Sequence, residues 1–283
     1  MLASIDLLYT SDVFRITHFK CNCNLCSVSE VEYNKSFCMS LITNGFFEYR
    51  TFRRNDEAFS GRVLISKPGF EHTTRHIENQ PDITLVCEFK PEFFIELQTV
   101  YSKDAGWFLQ NNDIHALVLQ CSTEAEYLYH HIYTLITNRK ANSLHIDELV
   151  FDLLDIVLTG IGNKKTLPVV ADKLKAIHLP TIETAKEYIL QHFKENISLQ
   201  QLAKHCHISP FHFSRIFKSI QQVSPHQYLT GIRLHHAKQL IASTTLPVTD
   251  IAYESGFNSA EHFTTAYRQL FKVSPTTHRK QLA

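Results

Sequence analysis

The spacing of apolar and polar positions passes through three regimes along this chain. Between Val13 and Phe89, short apolar runs are separated by turn pairs. Ser29 to Tyr33 alternates, and Phe37 to Ile42 is mostly apolar. Asn44-Gly45 is a hairpin signal leading into Phe46 to Phe52. Val63 to Ser66 precedes Pro68-Gly69, and Leu85, Cys87 and Phe89 alternate with Thr84, Val86 and Glu88. This period of two predicts short antiparallel strands closed into a barrel or sandwich. From Pro91 the period lengthens, predicting helices over Glu92 to Tyr101, Glu124 to Asn138 and Leu144 to Leu158. The last carries a broad stripe of Leu144, Ile146, Leu149, Val150, Leu153, Leu154, Val157 and Leu158. Such a stripe is buried either on the barrel or against the same helix of a second subunit, and the second solution is expected here. Gly160 to Lys165 stops that helix. Residues 161–180, with Pro168 and Pro180, are expected to form a linker, and Thr181 to Phe193 to open the next domain.

The third regime is a repeat. Leu202-Ala203, His212-Phe213, a ring at Phe217 and Ser224-Pro225 recur as Ile251-Ala252, His262-Phe263, a ring at Tyr267 and Ser274-Pro275. A supersecondary unit used twice produces this kind of self-similarity. Each copy predicts two helices and a tight turn. In the first, Ser198 caps, Cys206-His207-Ile208 turns, and Ser209 caps a helix with Pro210 at its first position. In the second, Thr249 or Asp250 caps, Gly256-Phe257 turns, and Ser259 caps the following helix. Pro225 to Ser243 keeps one long apolar period and predicts a connecting helix. A short helix, a tight turn and a helix with a polar outer face form a helix-turn-helix, whose second helix fits the major groove. The outer faces comprise Phe211, Ser214, Arg215 and Lys218, then Ala260, Glu261, Thr264, Thr265 and Arg268. Arg215 is the main candidate for base recognition, because a guanidinium can pair with both acceptors of a guanine edge. Phe211 suits a thymine methyl, and Lys218 and Arg268 suit phosphates.

From Asn196 to Arg279 the chain resembles the DNA-binding domain of AraC/XylS-type transcription regulators. The resemblance rests on both units and the connector together: Ile197-Ser198-Leu199, Phe213 to Lys218, Ser224-Pro225, Tyr228-Leu229, Arg233-Leu234, Gly256-Phe257 and Ser274-Pro275. It departs from the family at Gln222 and Lys272, where glycine is usual, at Thr265, where a basic residue is usual, and at His278-Arg279, where Tyr-Arg is usual. The second unit is therefore expected to read bases less strongly than the first. The resemblance implies an α+β protein: a cupin-like antiparallel barrel with flanking helices over 1–160, the linker 161–180, and an all-α bipartite domain over 181–283. It also implies promoter DNA and RNA polymerase as partners, a small-molecule effector, a homodimer, and activation rather than repression.

Charge sharpens this division. The 283 residues carry no net formal charge, yet from Thr181 onward there are 11 Lys/Arg against 6 Asp/Glu. A basic C-terminal part suits phosphate contact. No basic start or apolar leader opens the chain, and Leu149 to Ile161 is broken by Asp152 and Asp155. A cytoplasmic protein with no membrane contact and seven reduced cysteines is expected.

Other candidate chemistry is sparse. No cofactor motif and no catalytic constellation is evident. His18, Cys21, Cys23 and Cys26 lie close enough in sequence to hold a thiophilic metal, though C-x-C-x-x-C is not a zinc-finger frame. His72 and His76 share a strand face, with Arg75 between them, and could line a ligand pocket. Two rival functions follow: a cupin-type metal-dependent enzyme using His72 and His76, and a structural DNA-binding protein without sequence preference.

Overall fold

The structure, a computed structural model, describes residues 3–22, 28–76, 81–139, 141–162 and 170–282. The strands are β1 (Ala3–Thr10), β2 (Phe14–Cys21), β3 (Glu32–Tyr33), β4 (Phe37–Asn44), β5 (Phe46–Arg50), β6 (Asn55–Phe59), β7 (Arg62–Ser66), β8 (Glu71–His76), β9 (Ile83–Phe89) and β10 (Ala116–Gln120). The helices of the first part are α1 (Pro91–Val100), α2 (Gly106–Leu109), α3 (Thr123–Thr137) and α4 (Ser143–Gly160). Then come α5 (Asp172–His192), α6 (Leu199–His205), α7 (Pro210–Gln221), α8 (Pro225–Ser243), α9 (Val248–Glu254), α10 (Ala260–Phe271) and α11 (Pro275–Leu282). Among the described residues no helix is long and apolar enough to cross a membrane.

The chain divides into two compact units, Met1–Glu183 and Thr184–Ala283. In the first, two antiparallel sheets form, with strand orders β1-β2-β9-β4-β7-β10 and β3-β8-β5-β6. Period-two alternation gives the larger sheet two different faces. Phe14 and Ile16, Met39 and Leu41, Val63 and Ile65, and Leu85, Cys87 and Phe89 share a core with α1 to α4. The alternate positions, such as Ile42 and Leu64, share a smaller core with Phe47 and Tyr49 of the second sheet. The α+β class and the antiparallel N-terminal part are as expected.

Two expectations change. The α4 stripe, from Ile146 to Leu158, is buried in the core of its own unit, so it is not free to meet a second subunit. The sheet supplies the apolar face that amphipathic spacing alone leaves unassigned. Leu144 and Phe151 stay exposed on this helix. The second change concerns the expected linker: residues 172–180 are helical, and α5 continues through Pro180. Side-chain packing accounts for this. Lys175 is fully buried, with Nζ 2.6 Å from Glu57, 2.8 Å from Asp172 and 4.1 Å from the Phe46 ring centroid. The Glu183 carboxylate accepts the Gly45 amide at 2.9 Å.

Candidate nucleic-acid interface and barrel cavity

Five serine caps set out the second unit, the fifth being Ser274, which accepts the Thr277 N–H at 3.1 Å before α11. Ser198, Ser209, Ser224 and Ser259 each accept a backbone N–H from the residue three positions on, starting α6, α7, α8 and α10. Ser198 and Ser224 form full capping boxes with Gln201 and Gln227. The cap of α9 differs from expectation: Pro247 occupies it, and Thr249 and Asp250 lie inside the first turn. Asp250 there still favours the positive end of the helix.

The connecting helix α8 spans the residues expected of it and serves both helix-turn-helix repeats. Its N-terminal half brings Tyr228 edge-on to Phe217 of α7, with ring centroids 5.6 Å apart. Leu234, Ala237 and Ile241 bury into a core with Ile251, Ala252, Phe257, Phe263 and Tyr267. Arg233 ties α8 back to the end of α5, donating to the carbonyls of Phe193 and Glu195 at 2.7 Å each. Nineteen helical residues extend about 28 Å, close to the roughly 34 Å of one DNA turn.

Burying Phe213, Ile216 and Phe217 turns the opposite face of α7 to solvent. Phe211 is 80% exposed, Arg215 and Lys218 are exposed, and Ser214 is half-buried. In α10, Phe263 and Tyr267 are buried, while Glu261, Thr264, Thr265 and Arg268 are exposed and Ala260 is half-buried. Among the described residues the side chains of Arg215, Lys218 and Arg268 make no ion pair or hydrogen bond. His278 is not on this face: its Nδ1 lies 2.7 Å from the Tyr267 hydroxyl, bracing α11 on α10.

The first unit holds a cavity of about 150 Å³ between its two sheets. Glu32, Tyr49, His72 and His76 line it from one sheet, Asp82 and Thr84 from the other. His72 and His76 share a face, as their spacing implies; Arg75 lies between them on the other face and is exposed. The His72 ring stacks on Tyr49 at 4.5 Å, and its Nε2 is 3.8 Å from Glu32. Burial pushes His72 down to about 4, raises Glu32, and pushes Tyr49 up to about 12. Each of these shifts favours the uncharged form of its group.

Of the cluster expected of His18, Cys21, Cys23 and Cys26, the structure describes His18 and Cys21. Cys23 and Cys26 lie outside the described residues. His18 and Cys21 are three apart on β2, so they face opposite sides of the sheet. His18 packs edge-on against Tyr133 of α3. Cys21 instead lies 3.9 Å from His76 Nδ1, and His76 Nε2 is 2.6 Å from Asp82. Asp82, Glu32, Tyr49 and Thr84 were not among the sequence candidates. Alternation from Val86 back through Thr84 to Asp82 was the signal that could have placed Asp82 and Thr84 on one face.

Residues 202–281 match the family described as a helix-turn-helix domain. The probable transcriptional regulator LumQ of Photobacterium leiognathi is 38% identical over 92 residues, which is 32% of this chain and 37% of LumQ. The regulatory protein PocR of Salmonella typhimurium is 28% identical over 105 residues, 37% of this chain and 35% of PocR. This chain therefore spans little more than a third of the length of those relatives. A crystal structure of a transcriptional regulator with an AraC-type DNA-binding domain, from Chromobacterium violaceum, shares 29% identity over 38% of this chain and 96% of its own, with a TM-score of 0.36.

Proposed function

We propose, from the premise that residues 202–281 form a helix-turn-helix domain of the AraC type, that this protein is a sequence-specific DNA-binding transcription regulator. The single observation that carries this reading is the pair of recognition helices, each exposing one polar face from a buried core and both joined by α8. Arg215 reads a guanine edge, with Phe211 and Ser214 beside it. Lys218 and Arg268 meet phosphates, and Ala260, Glu261, Thr264 and Thr265 contact a second groove face more weakly. The barrel unit binds a small polar effector in the cavity beside His72. The effector shifts how strongly the promoter is held, a coupling of about 1–3 kcal/mol in typical allosteric proteins. Activation through RNA polymerase, homodimerisation and a cytoplasmic location follow from the resemblance.

Selection of bound fragments from genomic DNA by the full-length protein tests this. Arg215→Ala is expected to lower the preference for the selected site by about 1–3 kcal/mol, with the melting temperature unchanged because the side chain is exposed. Equal affinity for selected and random duplex at fixed salt would favour the structural DNA-binding reading instead.

A further inference from the structure

We infer that Cys21, His76 and Asp82 form a binding site for one thiophilic divalent cation of the zinc class. Their ligand atoms all lie within 4.8 Å of one another. The three residues come from separate places: the end of β2, the end of β8 and the residue just before β9. Sheet pairing brings them together, because the Cys21 amide donates to the Asp82 carbonyl at 3.0 Å. All three are nearly removed from water, at 6%, 7% and 4% exposure.

That burial argues for an ion. Once the thiol proton is lost, a thiolate and a carboxylate side by side in a low-dielectric interior need a counter-charge, and a dication supplies it. Thiolate, imidazole and carboxylate together suit zinc, with bonds of roughly 2.3, 2.0–2.1 and 2.0–2.2 Å. Cys21 faces Nδ1 of His76 and Asp82 faces Nε2, so holding one ion requires the imidazole or the carboxylate to turn and their contact to open, with loss of the thiol proton, which binding releases to solvent. Three protein ligands leave one position of a four-coordinate ion for water or a small molecule. His76 and Asp82 also line the cavity, so that position is within reach of whatever the cavity holds.

The surroundings hold the carboxylate in place. Thr84 Oγ1 donates to Asp82 Oδ2 at 2.7 Å. Gly45, at φ +84°, lets the β4–β5 turn press on this segment: a Cβ there would sit 2.3 Å from the Pro81 carbonyl oxygen. Thr84 and Gly45 are thus positioning residues.

Elemental analysis of the desalted full-length protein should find about one equivalent of zinc. Titration with Co²⁺ alone should give a thiolate-to-cobalt charge-transfer band. Cys21→Ser should abolish the band, with circular dichroism confirming the fold; Cys206→Ser, in the other unit, should keep it. Thr84→Ala should weaken cobalt binding by about 10- to 100-fold. If Cys21→Ser does not fold, Asp82→Asn decides: affinity lowered by about tenfold or more supports the site, and unchanged affinity overturns it. A wild-type protein without retained metal and without the cobalt band would also overturn it. So would a band that survives Cys21→Ser and disappears in Cys23→Ser or Cys26→Ser.

Discussion

Gln222 and Lys272 end the two recognition helices with φ of 63° and 64°. These are the two positions at which AraC-type domains usually carry glycine. A side chain in this left-handed region costs about 1 kcal/mol. Each residue offsets part of that cost with a long polar side chain: Gln222 Nε2 donates to the Ser219 carbonyl at 2.7 Å, and Lys272 Nζ to that of Gln269 at 2.9 Å. Replacing both by glycine should raise the thermal midpoint of the second unit, a gain of up to about 1 kcal/mol per site, measured by calorimetry. Gly256 is the opposite case. It turns at φ +85°, and a Cβ there would lie 2.6 Å from the Phe193 carbonyl oxygen and 2.9 Å from Lys194 Cα. His207 holds a similar φ of 56° in the equivalent turn of the first repeat. Gly256→Ala should cost about 1–3 kcal/mol, read as a lower urea midpoint.

At the scale of elements, α4 shows how an amphipathic stripe finds its partner. Leu153 is fully buried among Phe14, Cys87, Phe89 and the other residues of the sheet-to-helix core. Leu153→Ala should cost about 2–5 kcal/mol, by the same amount at high and low protein concentration. A loss that grows on dilution would mean that the helix stabilises a dimer instead. The recognition helices α7 and α10 share a cap, a buried aromatic pair and a left-handed stop, yet present different chemistry outward. The planar, rigid fork of an arginine can make two hydrogen bonds to one base, whereas threonine hydroxyls make single ones. Joint replacement of Thr264 and Thr265 by alanine should therefore reduce site preference less than Arg215→Ala does, in the same competition assay.

Two properties belong to the whole molecule. The first is the pH response of the barrel unit. Burial holds His72 at about 4, and burial with the neighbouring His145 and His130 holds His131 at about 4, against an ordinary 6.5. Below 6.5 the unfolded chain binds protons that the folded chain does not, so stability rises with pH across this range. It is fully present above about 6.5 and is lost as pH falls towards 4. The urea midpoint of this unit should be lower at pH 5 than at pH 7, and His72→Gln should flatten the difference. The second is the charge division, with the Lys/Arg excess confined to the part from Thr181 onward. DNA binding should weaken steeply with salt, and Lys218→Ala or Arg268→Ala should each reduce the log–log slope by about 1.

The duplicated helix-turn-helix was legible in the residues alone. Caps, turns and the 3.6-residue period are set by neighbours within a few positions, so the caps Ser198, Ser209 and Ser259 and the length of α8 follow from local chemistry. Strand alternation likewise placed His72 and His76 on one face. What the stripe of α4 packs against, and that residues 172–180 are helical around a buried Lys175, was decided by tertiary contacts. The meeting of Cys21 with His76 and Asp82 was decided in the same way, while His18, three residues from Cys21, went to the opposite face. Sequence proximity draws cysteines into apparent clusters, but in a sheet it is hydrogen-bonded register across strands that determines which side chains share a space.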